Sequence, residues 1–235
     1  MTRLIKGFSG KPLDVEFRNC AFRLRGQNNL IEYGILLSPG YNAADIDFLI
    51  AGAPDGANYV DVGSNIGLYT LPLAQKAGDA GTVLAIDANP LMASQLRSNA
   101  EHSNLNNIRM FACGVSDTEG AARLTVRKND VAIVALEEAE DGDIPIRTLA
   151  SIVSEAGLTS ICGLKIDIEG HEDKALVPFL DSAPPSLLPK KIVIEHPLPD
   201  EDYSGCADAF GRHGYRLIAR TRNNSLYELG GDVAD

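Results

Sequence analysis

Short, continuous runs of apolar and β-branched residues recur along the chain, and segments with helical periodicity separate them. Continuous rather than alternating apolar runs are typical of strands that are buried on both faces of a parallel sheet. The pattern predicts seven core strands, at 58–62, 82–86, 108–111, 163–168, 190–195, 215–219 and 225–229. The first five are continuous in this way. Strands that alternate with helices predict an α/β fold with right-handed crossovers.

The helical segments between these strands begin and end at residues that suit helix termini. Pro90 lies in a first turn, where its missing N–H costs little, and Gly214 follows the last helix. The predicted helices are 65–77, 90–103, 150–156, 171–180 and 203–213. The final two strands, joined across Thr221–Asn224, are expected to form a closing antiparallel hairpin.

Two regions do not follow this alternation. Residues 1–45, which we call the N-terminal cap, contain strand-like pieces at 13–17 and 30–36, and a helix is predicted near 43–51. Residues 121–147 are interpreted as extra strands at 122–126 and 131–136, followed by an exposed acidic loop at 137–143. We interpret 46–235 as a Rossmann-like core and the whole chain, 1–235, as one domain.

Composition and charge narrow the classes of function. The 235 residues carry a formal net charge of −11, whereas nucleic-acid binders usually present a basic face. The start of the chain resembles no signal peptide, and no apolar stretch reaches the roughly 18 residues of a membrane helix. The four cysteines are far apart, as expected of reduced thiols. We expect a cytoplasmic protein that binds neither nucleic acid nor membrane.

The turn from Asp61 to Gly67 follows the first core strand and carries the strongest chemical signal. Gly63 and Gly67 allow a sharp turn and close approach of a ligand, and a helix N-terminus offers free N–H groups. The dinucleotide pattern G-x-G-x-x-G is absent, because Asn65 and Leu68 replace its second and third glycines. Asp61 would repel a pyrophosphate but can anchor an amino group, directly or through water. S-adenosylmethionine is the common nucleoside with such an amino-acid tail.

A second acid follows the next strand. Asp87 can accept two hydrogen bonds from a ribose diol, and Ala88 leaves room for an adenine. After the third strand, a loop containing Gly114 and Val115 would border that adenine, although a plain turn explains this segment equally well. The complete set predicted to bind the cofactor is Asp61, Gly63, Ser64, Asn65, Gly67, Thr70, Asp87, Ala88, Gly114, Val115 and Asp167.

These motifs together resemble the FkbM-type methyltransferases, over about residues 40–195. The resemblance rests on VDVGSNIGLYT at 60–70, AIDANP at 85–90, GVSDTEG at 114–120, RTLASI at 147–152, LKIDIEGHEDKAL at 164–176 and IVIEHP at 192–197. The KIDIEG segment is the most specific to the family, whereas many methyltransferases share the glycine turn. Asp87 and Ala150 depart from the family, which usually has Glu and often has Asp at these positions.

The resemblance implies the Rossmann-like class I methyltransferase fold. That fold has a seven-stranded sheet of order 3-2-1-4-5-7-6 with its last strand antiparallel. The resemblance also implies methyl transfer from S-adenosylmethionine, usually to a hydroxyl oxygen of a natural product or a sugar. It names no acceptor for this chain.

The ends of the fourth and fifth strands carry the candidate catalytic groups, because ligands of open α/β sheets bind at the carboxyl ends of strands. These candidates are Asp167, Glu169, His171, Glu195 and His196. Asp167 is expected to face the sulfonium or the acceptor hydroxyl, and the two histidines are candidate bases. An alternative is a Mg²⁺ ion at Asp167, Glu195 and His196. For Lys165 we favour a structural ion pair over catalysis.

The sequence leaves three functions open. The first is an O-methyltransferase that acts on a small molecule or a glycan. The second is a nicotinamide-dependent oxidoreductase, which the missing G-x-G-x-x-G disfavours. The third is a non-catalytic protein that binds S-adenosylmethionine or a partner through the same fold. A homodimer is also compatible with the sequence.

Overall fold

A computed structural model gives the structure of residues 11–26, 29–126, 134–139, 141–197 and 203–230. The strands are β1 Leu13–Phe17, β2 Cys20–Leu24, β3 Tyr59–Val62, β4 Val83–Ile86, β5 Ile108–Phe111, β6 Gly114–Val115, β7 Gly120–Val126, β8 Val134–Glu138, β9 Ile144–Arg147, β10 Gly163–Ile166, β11 Lys191–Glu195, β12 Tyr215–Arg220 and β13 Asn224–Leu229. The α-helices are α1 Leu30–Leu37, α2 Ala43–Ile50, α3 Thr70–Ala77, α4 Pro90–His102, α5 Leu149–Ala156, α6 Glu172–Ser182 and α7 Ser204–Arg212. A short 3-10 helix spans Pro185–Leu187.

The central sheet has seven strands in the order β12-β13-β11-β10-β3-β4-β5. Five neighbouring strands pair in parallel, namely β11, β10, β3, β4 and β5. Strand β13 runs antiparallel to both β11 and β12. Numbered among themselves along the chain, these strands lie in the order 3-2-1-4-5-7-6. The predicted α/β class with seven strands and an antiparallel member is confirmed.

The two faces of this sheet bury different parts of the chain. Val60 and Val62 of β3 point into a core that α5, α6 and α7 cover. Tyr59 of the same strand points into a second core, which the cap, α2 and α3 cover. Successive side chains alternate between the faces of a strand, so Asp61 lies on the same face as Tyr59. The polar residues of the strand ends therefore face the cap.

The insertion between β5 and α5 forms a sheet of its own, in the order β6-β9-β7-β8. The predicted strand at 122–126 lies within β7, and part of the one at 131–136 lies outside the described residues. The acidic loop predicted at 137–143 is wrong at its start, because β8 continues to Glu138 and pairs there with β7. Pairing with a neighbouring strand outweighs the preference of a charged run for a loop.

The strand-like segment predicted at 30–36 is wrong, because these residues form the helix α1. The side chain of Asn29 accepts a hydrogen bond from the Ile31 N–H, at 2.9 Å, and so caps the helix N-terminus. Glu32 is buried in this helix, where it accepts hydrogen bonds from the backbone N–H groups of Arg25 and Gly26. A buried acid among leucines obscured the helical period.

The helix predicted at 65–77 begins later, at Thr70. Asn65 has a φ of 49°, in the left-handed region, which a right-handed helix cannot contain. Residues 65–69 form turns instead and lengthen the loop above the sheet. Within the described part of the chain, no helix is both long and apolar enough to cross a bilayer.

Candidate active site

The glycine turn joins the end of β3 to the end of β4. The backbone N–H groups of Gly63 and Ser64 both donate to the carbonyl of Ile86, at 2.9 and 3.0 Å. Gly63 has a φ of 77°, and a Cβ atom there would lie 1.9 Å from the carbonyl oxygen of Asp167. Glycine is therefore required by the close approach of the next strand, whatever ligand is bound.

Asn65 stabilises the turn internally and connects it to two other parts of the protein. Its backbone N–H donates to Asp87 Oδ2, at 2.7 Å. Its side-chain oxygen accepts from the Ile66 N–H and from Asn29 Nδ2, both at 2.8 Å. Asn29 belongs to the cap and is buried. The cap thus helps to hold the turn in shape.

Asp87 lies beside the turn with its carboxylate already oriented. Its Oδ1 accepts from the Asn89 N–H at 2.8 Å, and its Oδ2 accepts from Asn65. Burial raises the pKa of Asp87 to about 6, and the two backbone N–H groups limit this rise. Asp87 and Ala88 both stay partly exposed. Each carboxylate oxygen has two lone pairs, so Asp87 can still accept a hydrogen bond from a diol.

Asp61 and Thr70 lie beneath the turn and are fully buried. The hydroxyl of Thr70 donates to Asp61 Oδ2, at 2.5 Å. Asp61 Oδ1 has no hydrogen-bond partner among the described residues, and the ammonium of Lys165 lies 3.8 Å from it. A buried carboxylate oxygen without a donor fits the predicted role of Asp61 toward an amino group, directly or through water.

Lys165 forms the structural ion pair that its position predicts. It is the cross-strand neighbour of Asp61 in the register of β10 with β3. Its ammonium lies 3.5 Å from Asp167 Oδ2 and donates to the carbonyl of Gly63, at 2.8 Å. Burial lowers the pKa of Lys165, but Asp167 and Asp61 raise it by more, and the net shift is upward. The lysine stays charged and holds the turn against β10.

Asp167 directly follows β10, Glu195 is the last residue of the neighbouring strand β11, and the two side chains lie side by side. The side chain of Asp167 is 34% exposed, so it is open to a ligand. Burial raises the pKa of Glu195 to about 9, and the charge of Asp167 and a hydrogen bond between the two side chains contribute. Two adjacent carboxyl groups cannot both ionise easily, so at neutral pH Glu195 holds the proton.

The loop after β10 carries Glu169 and His171. Glu169 has a φ of 56°, and Gly170 follows it with a φ of 97°. Buried Glu172 supports this loop by accepting from the N–H groups of Ile168 and Gly170, at 2.7 and 3.0 Å. His171 precedes α6, and its side chain does not cap that helix. Glu169 and His171 follow Asp167 closely in the sequence, and both are partly exposed.

His196 extends β11 beyond Glu195. Its backbone N–H donates to the carbonyl of Asn223, at 2.7 Å, which ties it to the closing hairpin. Its ring nitrogen Nε2 is buried and has no hydrogen-bond partner within the described part of the chain. The structure therefore brings Asp167 and Glu195 together, and His196 Nε2 bonds to neither of them.

Gly114 and Val115 do not form the loop that the sequence predicts. They form β6, which pairs with β9, and the side chain of Val115 is buried in the hydrophobic core. Only the backbone of Gly114 and Val115 could contact an adenine. Sequence reasoning also missed Asn29, for which no motif gives a signal, and the buried trio of Asp45, Tyr69 and Asn224.

The described residues contain no group of three or more histidine, cysteine, aspartate or glutamate side chains with the geometry of a metal site. The alternative with Mg²⁺ therefore has no structural support. Cavities of about 20 and 300 Å³ lie beside α1 and between α4 and β5. Neither is lined by residues of the strand ends, so the candidate site is the partly exposed edge itself.

Comparison with known proteins agrees with this architecture. A curated relative, "Methyltransferase 1" of Beauveria bassiana (strain ARSEF 2860), is 25% identical over 146 residues, which are 52% of this chain and 58% of that protein. The solved precorrin-6y C5,15-methyltransferase of Geobacter metallireducens GS-15 is 12% identical, with a TM-score of 0.52 over 83% of this chain and 90% of that one. A SAM-dependent O-methyltransferase of Thermotoga maritima is 12% identical, with a TM-score of 0.50 over 92% and 76%.

The two solved structures support the class I methyltransferase fold alone, and their names differ in the atom that is methylated. The family profile is more specific. The methyltransferase FkbM domain matches residues 61–217, which include the glycine turn, Asp87, Asp167 and Glu195. The chain belongs to the FkbM methyltransferase family.

Proposed function

We propose that this methyltransferase transfers the methyl group of S-adenosylmethionine to a hydroxyl oxygen of a small molecule, natural product or sugar. One observation carries the proposal. The glycine turn, the carboxylate of Asp87 and the carboxylate of Asp167 lie at one edge of the central sheet. Asn65 bonds directly to Asp87, and the ammonium of Lys165 donates to the carbonyl of Gly63 and lies 3.5 Å from Asp167 Oδ2. This edge can bind a nucleoside with an amino-acid tail and keep an acid beside it.

The proposed contacts with S-adenosylmethionine divide between its nucleoside and its amino-acid tail. Asp87 accepts hydrogen bonds from the ribose diol, and Ala88 borders the base. Asp61, with its unpartnered oxygen, binds the amino group through a water molecule. The remaining members of the set contribute backbone or support the turn: Gly63, Ser64, Asn65, Gly67, Thr70, Gly114, Val115 and Asp167.

S-adenosylmethionine, when bound, supplies an electrophilic methyl group on a positively charged sulfur. Asp167 is the proposed base, because its side chain is accessible and its Oδ2 lies 3.5 Å from the ammonium of Lys165. As the acceptor oxygen forms its bond to the methyl carbon, the carbon–sulfur bond breaks and its electron pair stays on sulfur. The hydroxyl proton passes to Asp167. Holding the hydroxyl in line is the larger contribution, since alignment can remove several kcal/mol of barrier.

The other candidate residues take supporting roles in this proposal. Glu195 keeps its proton and donates it to Asp167 in a hydrogen bond. Glu169 and His171 line the acceptor side on the loop after β10, and His196 is a second candidate base. An oxidoreductase is not favoured, because the family is a methyltransferase family. A non-catalytic binding role, the absence of nucleic-acid partners, a homodimer and a cytoplasmic location remain predictions.

Calorimetry with S-adenosylhomocysteine and with NAD tests the cofactor. We expect binding of the first and none of the second. Asp87→Ala should weaken S-adenosylhomocysteine binding by about 1.5–3 kcal/mol, because hydrogen bonds to a charged group are lost. Asp141→Ala is the matched control, since Asp141 pairs with Arg123 on the surface of the small sheet. Equal affinities of the two variants would contradict the ribose assignment.

A turnover assay tests the reaction. Labelled S-adenosylmethionine is incubated with a panel of alcohols, phenols, sugars, amines and RNA, and methylated product is counted. Product with a hydroxyl compound supports the proposal. Product with amines or RNA alone would overturn it, and S-adenosylhomocysteine binding without product from any panel member would favour the non-catalytic alternative.

A further inference from the structure

The ammonium of Lys165 is enclosed at the strand ends by polar groups and by an aromatic ring. It donates to the carbonyl of Gly63 at 2.8 Å and lies 3.5 Å from Asp167 Oδ2 and 3.8 Å from Asp61 Oδ1. The ring of Tyr69 lies against the ammonium, with 5.4 Å between Nζ and the ring centroid. An aromatic face attracts a cation, most strongly where water is excluded, and Lys165 and Tyr69 are both buried. The position of the Tyr69 ring therefore limits where the ammonium can lie.

The buried trio of Asp45, Tyr69 and Asn224 fixes this ring at its hydroxyl end. The Tyr69 hydroxyl donates to Asp45 Oδ2 at 3.1 Å and accepts from Asn224 Nδ2 at 3.3 Å. Asn224 Nδ2 also donates to Asp45 Oδ2, at 2.6 Å, so each member of the trio contacts both others. Burial raises the pKa of Tyr69 well above its ordinary value, and the carboxyl group of Asp45 adds to this rise. The phenol therefore keeps its proton and remains a donor.

The trio joins three segments that are far apart in the chain. Asp45 lies in the first turn of α2, Tyr69 directly precedes α3, and Asn224 is the first residue of β13. Asp45 and Asn224 both lie outside residues 61–217, which the family domain matches. The ring that contacts Lys165 is therefore held by parts of the chain that precede and follow the matched domain.

We propose that Tyr69 is a positioning residue for the methyl transfer and acts through Lys165. The trio fixes the ring of Tyr69, and the ring restrains the Lys165 ammonium. The ammonium in turn holds the carbonyl of Gly63 in the glycine turn and lies beside the carboxylate of Asp167. The inference rests on the proposed function, because it takes the glycine turn as the cofactor site and Asp167 as the base.

Calorimetry with S-adenosylhomocysteine tests the effect on the glycine turn and needs no acceptor. Tyr69→Phe keeps the ring and removes the hydroxyl, whereas Tyr69→Leu removes the ring as well. Tyr215→Phe is the matched control, because the Tyr215 hydroxyl is also buried and donates to the carbonyl of Pro189, at 2.7 Å, just before the start of β11. We expect Tyr69→Phe to weaken binding about three- to fivefold and Tyr69→Leu about tenfold. Tyr215→Phe should change it by less than about 1.5-fold.

Thermal unfolding of the same proteins separates positioning from stability. Tyr69→Phe and Tyr215→Phe each remove a buried tyrosine hydroxyl that donates a hydrogen bond, so the Tm of both should fall by a similar amount of about a few degrees. If the two variants lose the same affinity for S-adenosylhomocysteine at the same loss of Tm, the trio only attaches α2 to the sheet and the proposal is overturned.

Kinetics with a hydroxyl acceptor from the panel test the effect on the proposed base. Tyr69→Phe should lower kcat about three- to tenfold, because a small misplacement of the groups around the reacting atoms raises the barrier. The KM of the acceptor should stay within about twofold, since Tyr69 acts through Lys165 and does not bind the acceptor. Tyr215→Phe should leave both constants unchanged. A raised acceptor KM at unchanged kcat in Tyr69→Phe would contradict a positioning role.

A spectroscopic measurement tests the contact between Tyr69 and Lys165 itself. Protons over the face of an aromatic ring are shifted upfield, so the Cε protons of Lys165 should be shifted in protein labelled with ¹³C-lysine, and Lys165→Arg identifies their resonance. The upfield shift should become smaller in Tyr69→Phe and disappear in Tyr69→Leu. Lys191 is the internal reference, because its ammonium lies 5.0 Å from the ring centroid of Phe48 and its resonance should not change.

The outcomes distinguish this proposal from the proposed function. A Lys165 resonance that is the same in the wild type and in Tyr69→Leu would overturn the proposal, whatever the cofactor binds. Failure of the wild type to bind S-adenosylhomocysteine would instead refute the proposed function, while the contact between the ring and the ammonium would still be seen in the spectrum.

Discussion

Asp87 and Glu195 are both carboxyl groups that burial shifts upward in pKa, but their neighbours set different charges. We call the first region the cofactor edge (Gly63, Asn65 and Asp87) and the second the acceptor edge (Asp167 and Glu195). Asp87 receives two backbone N–H groups and has a pKa of about 6. Glu195 lies against another carboxyl group, and its pKa rises to about 9.

The difference lies in the donors and not in the residue type. Backbone N–H groups stabilise an ionised carboxylate, whereas a second carboxylate stabilises the protonated form. At neutral pH the cofactor edge therefore carries a charge suited to a diol. At the acceptor edge, Glu195 holds a proton and the side chain of Asp167 is accessible. Two groups of acids at one edge of the sheet thus differ in their pKa values.

Gly63 joins the two edges, and we expect its substitution to have the largest effect. In Gly63→Ala the new Cβ would collide with the Asp167 carbonyl, 1.9 Å away, and the backbone is in a left-handed conformation. The free energy of unfolding should fall by about 3 kcal/mol or more, and S-adenosylhomocysteine binding should be lost. Gly157→Ala is the control, since Gly157 has a φ of 67° and no atom lies within 4 Å of the position that a Cβ would take there.

Gly157→Ala should cost only about 1 kcal/mol, because only the strained φ remains. Urea denaturation of both variants gives the comparison. Equal losses would mean that backbone strain, and not contact between the two edges, makes Gly63 necessary.

Lys165 contacts both edges, because its ammonium donates to the carbonyl of Gly63 and lies 3.5 Å from Asp167 Oδ2. We expect its substitution to have the second largest effect. Lys165→Met leaves Asp61 buried without its cation and should lower the free energy of unfolding by about 3–5 kcal/mol. Lys191→Met is the matched control, because the Lys191 ammonium donates to the carbonyls of Phe48 and Ala51 rather than to a carboxylate. Its cost should be about 1 kcal/mol. Similar midpoints in thermal unfolding for both variants would refute the ion-pair role.

A pair of isosteric substitutions distinguishes the roles of the two acids at the acceptor edge. Asp167→Asn removes the accessible charge and should lower kcat about 100-fold or more. Glu195→Gln replaces a carboxyl group that is already neutral, so kcat should change by less than about threefold. Glu195→Gln should bind S-adenosylhomocysteine normally, and the affinity of Asp167→Asn for S-adenosylhomocysteine is measured beside its kcat so that a loss of binding is not counted as a loss of catalysis. A larger loss of kcat in Glu195→Gln than in Asp167→Asn would reverse the assignment of base and proton holder.

The cofactor edge predicts a pH dependence of binding. The pKa of Asp87 lies above its ordinary value, so the carboxylate becomes protonated as the pH falls through about 6. Affinity for S-adenosylhomocysteine should be constant above this pH and fall by about tenfold per pH unit below it. Calorimetry between pH 5 and pH 8 measures this. In Asp87→Asn the affinity should be lower and flat over this interval, and a slope that persists there would assign it to another group.

Much of the fold follows from local patterns. Continuous apolar runs predicted the core strands, because strands buried on both faces need such runs. The sequence also favoured a structural ion pair for Lys165, and its ammonium lies 3.8 Å from Asp61 Oδ1 and 3.5 Å from Asp167 Oδ2. The patterns failed at α1, where a buried glutamate interrupts the apolar period, and at 65–69, where Asn65 takes a left-handed conformation. Both exceptions depend on contacts with distant residues.

The sequence by itself determined the order of the strands along the chain, the glycine turn and which acids end each strand, since these depend on neighbours in the chain. Only the tertiary structure decided how the pKa values of Asp87 and Glu195 differ and which residue of the cap contacts the glycine turn. Burial and hydrogen bonding set the pKa of a side chain, and both come from segments far apart in sequence. Asn29 is the clearest case, because it lies 36 positions before Asn65 in the chain and yet donates to its side chain at 2.8 Å.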